Sequence, residues 1–152
     1  MPKTVITDTT TLILFQKINE FDLLYKVYGE LITTPEIANE FGEELPEWIK
    51  IQSASDKKYQ EFLLTQVDNG EASAIALASE FDDVLLILDD LKARKLATRL
   101  KFKVTGTLGV IHKAKQMAII EKVRPMLDKL MLTDFRIADT IIKELLIINN
   151  EK

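Results

Sequence analysis

Val84-Leu85-Leu86-Ile87-Leu88 is five apolar residues in succession, closed at once by Asp89-Asp90. A strand with one wet face alternates apolar and polar side chains. A run that is apolar at every position marks a strand covered on both faces, as in a parallel sheet. The run is too short to cross a bilayer. Before it, Glu71 to Phe81 reads as a helix rich in small residues, Ala72, Ser73, Ala74, Ala76 and Ala78, which lets it lie close to a sheet. After it come a helix over Leu91 to Leu100, a short strand over Lys103 to Thr105 and a helix over Thr107 to Met117.

The rest of the chain repeats this alternation. Val5-Ile6-Thr7 reads as a first strand and Thr9 to Ile18 as a helix with Leu12 and Phe15 inward. Phe21 to Tyr28 is helical and stops at Gly29, and Leu31-Ile32-Thr33 is a strand. Thr34 then caps a helix whose first position is Pro35, where a missing N–H costs nothing. Ile49 to Ala54 alternates like a strand, Asp56 to Val67 is helical, and Asp68-Asn69-Gly70 breaks that helix. Val123 to Leu132 and Ile137 to Ile148 close the chain as helices. Alternating strands and helices predict an α/β sandwich around a mainly parallel sheet, in one domain over residues 1–152. An all-helical reading leaves Val84 to Leu88 and the first strand without a place.

The composition, 47% hydrophobic and 29% charged, is that of a globular chain. At this length roughly two-thirds of the unfolded surface can be buried, so no disulfide or structural metal is needed. The absence of cysteine excludes a thiol nucleophile and a Cys-based zinc site. Residues Met1 to Asp8 lack the apolar core of a signal peptide, and no segment is long enough for a membrane span. The expectation is a cytoplasmic protein without membrane contact. The net charge of −4 argues against a generic polyanion binder, but the charges are segregated. Leu91 to Ile120 holds eight Lys or Arg and no Asp or Glu, leaving −12 on the remainder. This segregation predicts a local basic face on an acidic protein.

The acids sit at telling places. Asp8 follows the first strand, and Asp89-Asp90 follow the most buried one. Ligands of open parallel sheets bind beyond the carboxyl ends of the strands. Acids from two neighbouring ends would share one crevice. Glu40 lies one turn into the helix opened by Pro35, and Glu71 opens the small-residue helix. Each has a plainer reading. Asp8 and Asp90 can cap the helices that follow them. Glu71 can favour the positive end of its helix, and Glu40 can be solvated like Glu43 and Glu44.

The stretch VITDTTTLILF, from Val5 to Phe15, is similar to the opening of PIN domains, a strand ending in Asp followed by small hydroxyl residues. TPEIANEF, from Thr34, resembles the family's second motif, a Pro-opened helix carrying a Glu. GEASAIALA, from Gly70, resembles the third, and LLILDDLKARKLA, from Leu85, the fourth. VTGTLGVIHKAK and FRIADTIIKELL look like the bacterial and archaeal branch of PIN-like proteins. The resemblance covers nearly the whole chain. It implies a three-layer sandwich and a metal-dependent nuclease in which Asp8, Glu40, Glu71 and one of Asp89 or Asp90 bind the metal. Two departures stand out: Glu71 where many PIN nucleases have Asp, and a double Asp where many have a Thr-x-Asp pattern.

Chemistry supports such a set. Carboxylates crowded in one crevice raise each other's pKa, and a divalent cation removes that penalty. Hard oxygen ligands suit Mg²⁺ or Mn²⁺. Lys92, Lys95 and Arg99 share a helix face beside Asp89-Asp90, with Lys101 and Lys103 following, so phosphate backbone could be led toward the acids. A solvated face is the plainer reading. Arg94 can contact phosphate or pair with Asp90 four residues before it. Thr105-Gly106-Thr107 can offer amides to phosphate or form a simple turn. Thr10 can bond a ligand or merely start a helix. His112 has no metal-ligand partner near it in sequence and reads as structural or surface. Trp48 reads as packing or interface.

Three function classes compete. The first is a ribonuclease acting on RNA, or on single-stranded DNA. The resemblance implies either a toxin paired with an antitoxin protein or an RNA-processing enzyme. The second is a non-catalytic PIN-like scaffold binding RNA or protein. The third, a phosphorylatable receiver domain, needs its paired acid near the first strand, and here the pair comes too late. PIN relatives often form homodimers. The apolar positions of the last helix, about 137–148, could serve that or cap the core.

Overall fold

Both faces of the predicted inner strand are covered, and the reason lies in its neighbours. The computed structural model describes residues 2–151. Its strands are β1 (Thr4–Thr7), β2 (Leu31–Thr33), β3 (Ile49–Ile51), β4 (Val84–Ile87) and β5 (Lys103–Thr105). They form one sheet in the order β3-β2-β1-β4-β5, with every neighbouring pair parallel. Successive residues of a strand point to opposite faces. Val5 and Ile6 in β1 are both buried, as are Leu86 and Ile87 in β4, so helices must cover both sides.

Nine helices are seen among the described residues. They are α1 (Thr9–Lys17), α2 (Asp22–Tyr28), α3 (Pro35–Phe41), α4 (Lys57–Leu63), α5 (Asn69–Ala78), α6 (Leu91–Arg99), α7 (Thr107–Gln116), α8 (Arg124–Met131) and α9 (Asp139–Ile148). The result is an α/β three-layer sandwich. α5 packs on β4 and β1 and is itself flanked by α3 and α4. Its small residues allow this: Ala72, Ser73, Ala74, Ala76 and Ala78 are all fully buried. On α9, Leu145 and Leu146 are buried, whereas Ile141, Ile147 and Ile148 stay exposed.

Two expectations shift. α5 starts at Asn69, so Gly70 lies within its first turn rather than breaking the chain. A Cβ at Gly70 would stand 2.2 Å from Glu40 Oε1, so glycine is there for close approach and not for a turn. β3 is shorter than expected: it covers Ile49–Ile51 at the edge of the sheet and pairs with the three residues of β2. The cap at Thr34 is as expected: its hydroxyl accepts from the Ile37 amide at 3.2 Å, with Pro35 at the first helical position. That hydroxyl also meets Ser73 Oγ at 2.6 Å, tying α3 to α5. Thr34→Ala therefore costs about 1–2 kcal/mol, the upper range for a lost cap, and Thr34→Ser is close to neutral. Urea unfolding of both variants checks this. Equal losses for Ala and Ser would show that the methyl, not the hydroxyl, matters.

The register brings the carboxyl ends of the central strands level. Thr7 lies opposite Ile87, and Ile87 opposite Thr105. From β1 the chain builds outward to β2 and β3, then returns to build β4 and β5 on the other side. The order reverses between β1 and β4, and ligands of such sheets bind at that switch point.

Candidate active site

Asp8 is the residue after β1 and Asp89 lies two past β4, so the level register brings them together. The Asp8 amide continues the ladder, donating to the Ile87 carbonyl at 3.0 Å. Its carboxylate is divided between two tasks. Oδ1 accepts from the Thr11 amide at 2.9 Å, the cap of α1. Oδ2 accepts from the Asp89 amide at 2.9 Å, linking the two strand ends. The capping reading of Asp8 is thus correct, and it leaves one oxygen facing the other acid. Asp8 is 4% exposed. Burial, and then the charge of Asp89, push its carboxyl up from 3.8 to about 7, against the opposing pull of these hydrogen bonds.

Asp89 is held from the far side. Its Oδ1 accepts from the Thr107 amide at 2.9 Å, and its Oδ2 from the hydroxyls of Thr107 at 2.5 Å and Thr11 at 3.0 Å. Asp90 points elsewhere: it is exposed and caps α6, accepting from the Ala93 amide at 2.9 Å. Of the adjacent pair, only Asp89 is turned to Asp8.

Glu40, Glu71 and Asp90 form a second acidic group on the same edge. Glu40 is exposed in the last turn of α3, and its Oε1 accepts from the Thr9 hydroxyl at 3.2 Å while lying over Gly70. Glu71 is half-buried in the first turn of α5. Burial raises its pKa first, and the charges of Asp68, Asp90 and Glu40 raise it further, while its own backbone amide opposes them. The fold gathers the acids along one edge, with Glu40 bonded to Thr9, the neighbour of Asp8, and Asp90 bonded to the Ala93 amide. Among the described residues, no three acids close into a cluster that could hold a metal ion.

Asp8 and Asp89 lie close together, and the nearby Arg94 guanidinium stands on the Gly106 side of Asp89. Among the described residues, no Lys or Arg forms an ion pair with Asp8 or Asp89. A hard divalent cation fits this donor chemistry. Mg²⁺ commonly takes one or two carboxylates, keeps several waters and leaves the rest to substrate phosphate. Asp8 and Asp89 could hold such an ion, with Glu40, Glu71 and Asp90 close by.

The basic residues border this edge. Lys92, Lys95 and Arg99 are exposed on α6. Lys92 lines a shallow depression with Asp68 and Asp90, and Lys95 and Arg99 line the next one with Leu91 and Arg94. Arg94 is half-buried and donates to the Leu88 carbonyl at 3.3 Å, and no pair with Asp90 forms among the described residues. Thr10 is exposed. The hydroxyls that touch acids belong to its neighbours Thr9 and Thr11. Thr105 Oγ1 lies where a Cβ on Gly109 would fall, 1.9 Å from it, and is thus directed to α7. Thr107 is fully buried with its amide and hydroxyl on Asp89, so neither is left for phosphate. His112 Nδ1 meets the side chain of Asn149, a structural contact at the end of α9. Trp48 packs against Phe21 and Tyr25 with ring centroids 5.6 and 5.4 Å away.

Sequence reading did not single out Thr11, although the signal was present, since an N-cap acid bonds the amide three residues on. It read Gly70 as part of a helix break and Gly106 as part of a turn or phosphate loop. Their role in making room for Glu40 and for Asp89 is not local, because what fills the space beside them comes from other segments. No helix among the described residues is long and apolar enough to cross a membrane. A family model described as a PIN domain matches residues 4–151. No curated protein matches the chain.

Proposed function

The chain belongs to the PIN-domain family, a nuclease fold, and from that premise we propose that it is a metal-dependent ribonuclease hydrolysing phosphodiester bonds. The observation that carries the proposal is the pair of buried Asp8 and half-buried Asp89, joined by the Asp89 amide on Asp8 Oδ2 and by Thr11, which bonds both carboxylates. Asp8 and Asp89 would hold Mg²⁺ or Mn²⁺, and Glu40, Glu71 and Asp90 would orient water around it. An ion held there would supply polarisation of the phosphoryl group and easier ionisation of a water. Glu71, whose pKa burial raises, would take the proton of a water as its oxygen bonds phosphorus and the P–O bond to the leaving oxygen breaks, and would pass that proton to the leaving oxygen. Lys92, Lys95 and Arg99 guide the phosphate backbone to that edge.

The primary test is cleavage of single-stranded RNA by the purified chain, abolished by EDTA and restored by Mg²⁺ or Mn²⁺. Equal background cleavage with and without metal, across RNA and single-stranded DNA, removes the proposal. The scaffold reading then takes its place, and the feature that favours it is that, among the described residues, no three acids gather closely enough to hold an ion. A toxin role adds one expectation: a small antitoxin protein co-purifies and blocks cleavage, whereas an RNA-processing enzyme needs none.

The basic face makes its own prediction. Neutralising Lys92, Lys95 and Arg99 together weakens RNA binding. It also lowers the slope of log K against log salt by about 0.7 for each phosphate that is no longer neutralised. Fluorescence anisotropy over a salt series reads this directly. A triple variant with the wild-type slope would show that these charges are only solvated.

A further inference from the structure

The turn between β5 and α7 plays no part in the proposed hydrolysis, yet it is what holds Asp89. α7 begins at Thr107 after Gly106, and no side chain of its own segment caps it. Asp89, arriving from the end of β4, takes that place. Its Oδ1 accepts the Thr107 amide, and its Oδ2 accepts the Thr107 hydroxyl. The positive end of a helix favours an anion there. Thr107 is fully buried, so its hydroxyl is not set to meet solvent. The Thr11 hydroxyl reaches the same Oδ2 from α1, and the two hydroxyls are 3.2 Å apart.

Gly106 makes room for this arrangement. A Cβ on it would stand 2.8 Å from Asp89 Oδ1 and 2.4 Å from Arg94 Nη1. Both distances are shorter than real Cβ atoms tolerate, so any side chain at this position displaces the carboxylate or the guanidinium. The backbone at Gly106 is extended, with φ −131° and ψ −172°, so conformation does not require glycine. Only the space does.

We infer that Thr107 is a positioning residue for the metal site: its amide and hydroxyl aim the carboxylate of Asp89 at Asp8, and Gly106 is the gap that admits that carboxylate. The inference rests on the proposed metal binding by Asp8 and Asp89. Groups that orient a metal ligand without touching the metal set its affinity as well as its geometry. A mere helix cap would change stability and leave affinity alone.

The test compares Mn²⁺ affinity, read from the paramagnetic resonance of free Mn²⁺, in the wild type, Thr107→Val, Thr107→Ser and Gly106→Ala. Urea unfolding in EDTA monitors the fold of each. Thr107→Val keeps the amide and the shape but loses the hydroxyl. Its Mn²⁺ dissociation constant rises roughly ten- to a hundredfold, the range for a lost supporting hydrogen bond. Thr107→Ser returns it to near the wild-type value. Gly106→Ala keeps every hydrogen-bonding group and still binds more weakly, because the new methyl displaces Asp89. Wild-type affinity in a folded Thr107→Val, or a Ser variant as weak as Val, overturns the positioning role while the metal site stands. Wild type that binds no Mn²⁺ overturns the metal reading itself, and this inference with it. Should Thr107→Val fail to fold, Gly106→Ala decides, and unchanged affinity there overturns the inference.

Discussion

Asp8→Asn abolishes metal-dependent cleavage while the chain stays folded. Asparagine caps a helix about as well as aspartate, so its Oδ1 keeps the Thr11 amide at the start of α1. The second oxygen becomes an NH₂ group, and the Asp89 amide loses its acceptor. A buried donor left unpaired costs about 1–3 kcal/mol. Removing a buried negative charge that faces Asp89 offsets part of this. Cleavage has no such compensation. A neutral amide binds Mg²⁺ poorly, and the drop exceeds the roughly 10- to 100-fold typical of a lost outer partner. The measurement is initial-rate cleavage of single-stranded RNA at saturating Mn²⁺, beside a urea melt of the same preparation. If the variant cuts as fast as an EDTA-sensitive wild type, Asp8 is not a ligand although the activity is real. If the variant is unfolded, Asp8 acts chiefly through its two amides.

The second large effect is a stability that falls with rising pH in the absence of metal. The Asp8 carboxyl titrates at about 7 in the folded chain against 3.8 when unperturbed, burial being the main cause. Between those values the folded state holds a proton that the unfolded state has lost. Unfolding therefore becomes easier as pH rises, and the loss is complete above about 7. This is opposite in sign to a salt-bridged carboxylate. A shift of one unit corresponds to about 1.4 kcal/mol, so Asp8 contributes on the order of a few kcal/mol to this trend. Glu71 is displaced in the same direction and adds to the trend. Urea unfolding in EDTA at a series of pH values, wild type against Asp8→Asn, isolates the Asp8 contribution as the difference between the two curves. Mn²⁺ then restores wild-type stability most strongly at high pH, where its ligands are deprotonated, and does little for Asp8→Asn. Parallel pH curves for the two proteins would show that Asp8 carries no such penalty.

Much of the fold was legible in the residues. Val84 to Leu88 announced a doubly covered strand because burial on both faces removes the need for polar alternation. Thr34-Pro35 announced a helix start because both the cap hydroxyl and the proline ring act within one turn. These are local effects, and local effects are written in local sequence. The element ends were less legible: Gly70 reads as a breaker in sequence, yet it lies in the first turn of α5, where its missing Cβ leaves room for Glu40.

The candidate site divides in the same way. By itself the sequence determined that acids follow the first and fourth strands, that hydroxyls and cations lie near them, and that the family motifs occur in order. It did not determine which acids meet. That depended on strand order: β4 pairs with β1 rather than with β3, which precedes it in sequence, so Asp8 and Asp89 face each other across the switch point. The choice between Asp89 and Asp90 was likewise tertiary. Adjacent residues have the same local chemistry, and only Thr107, on the neighbouring β5–α7 connection, and Thr11, at the start of α1, distinguish them. Side-chain periodicity reflects each segment's own burial and is visible residue by residue. Contact between distant carboxylates depends on how strands are ordered and levelled, which no single segment encodes.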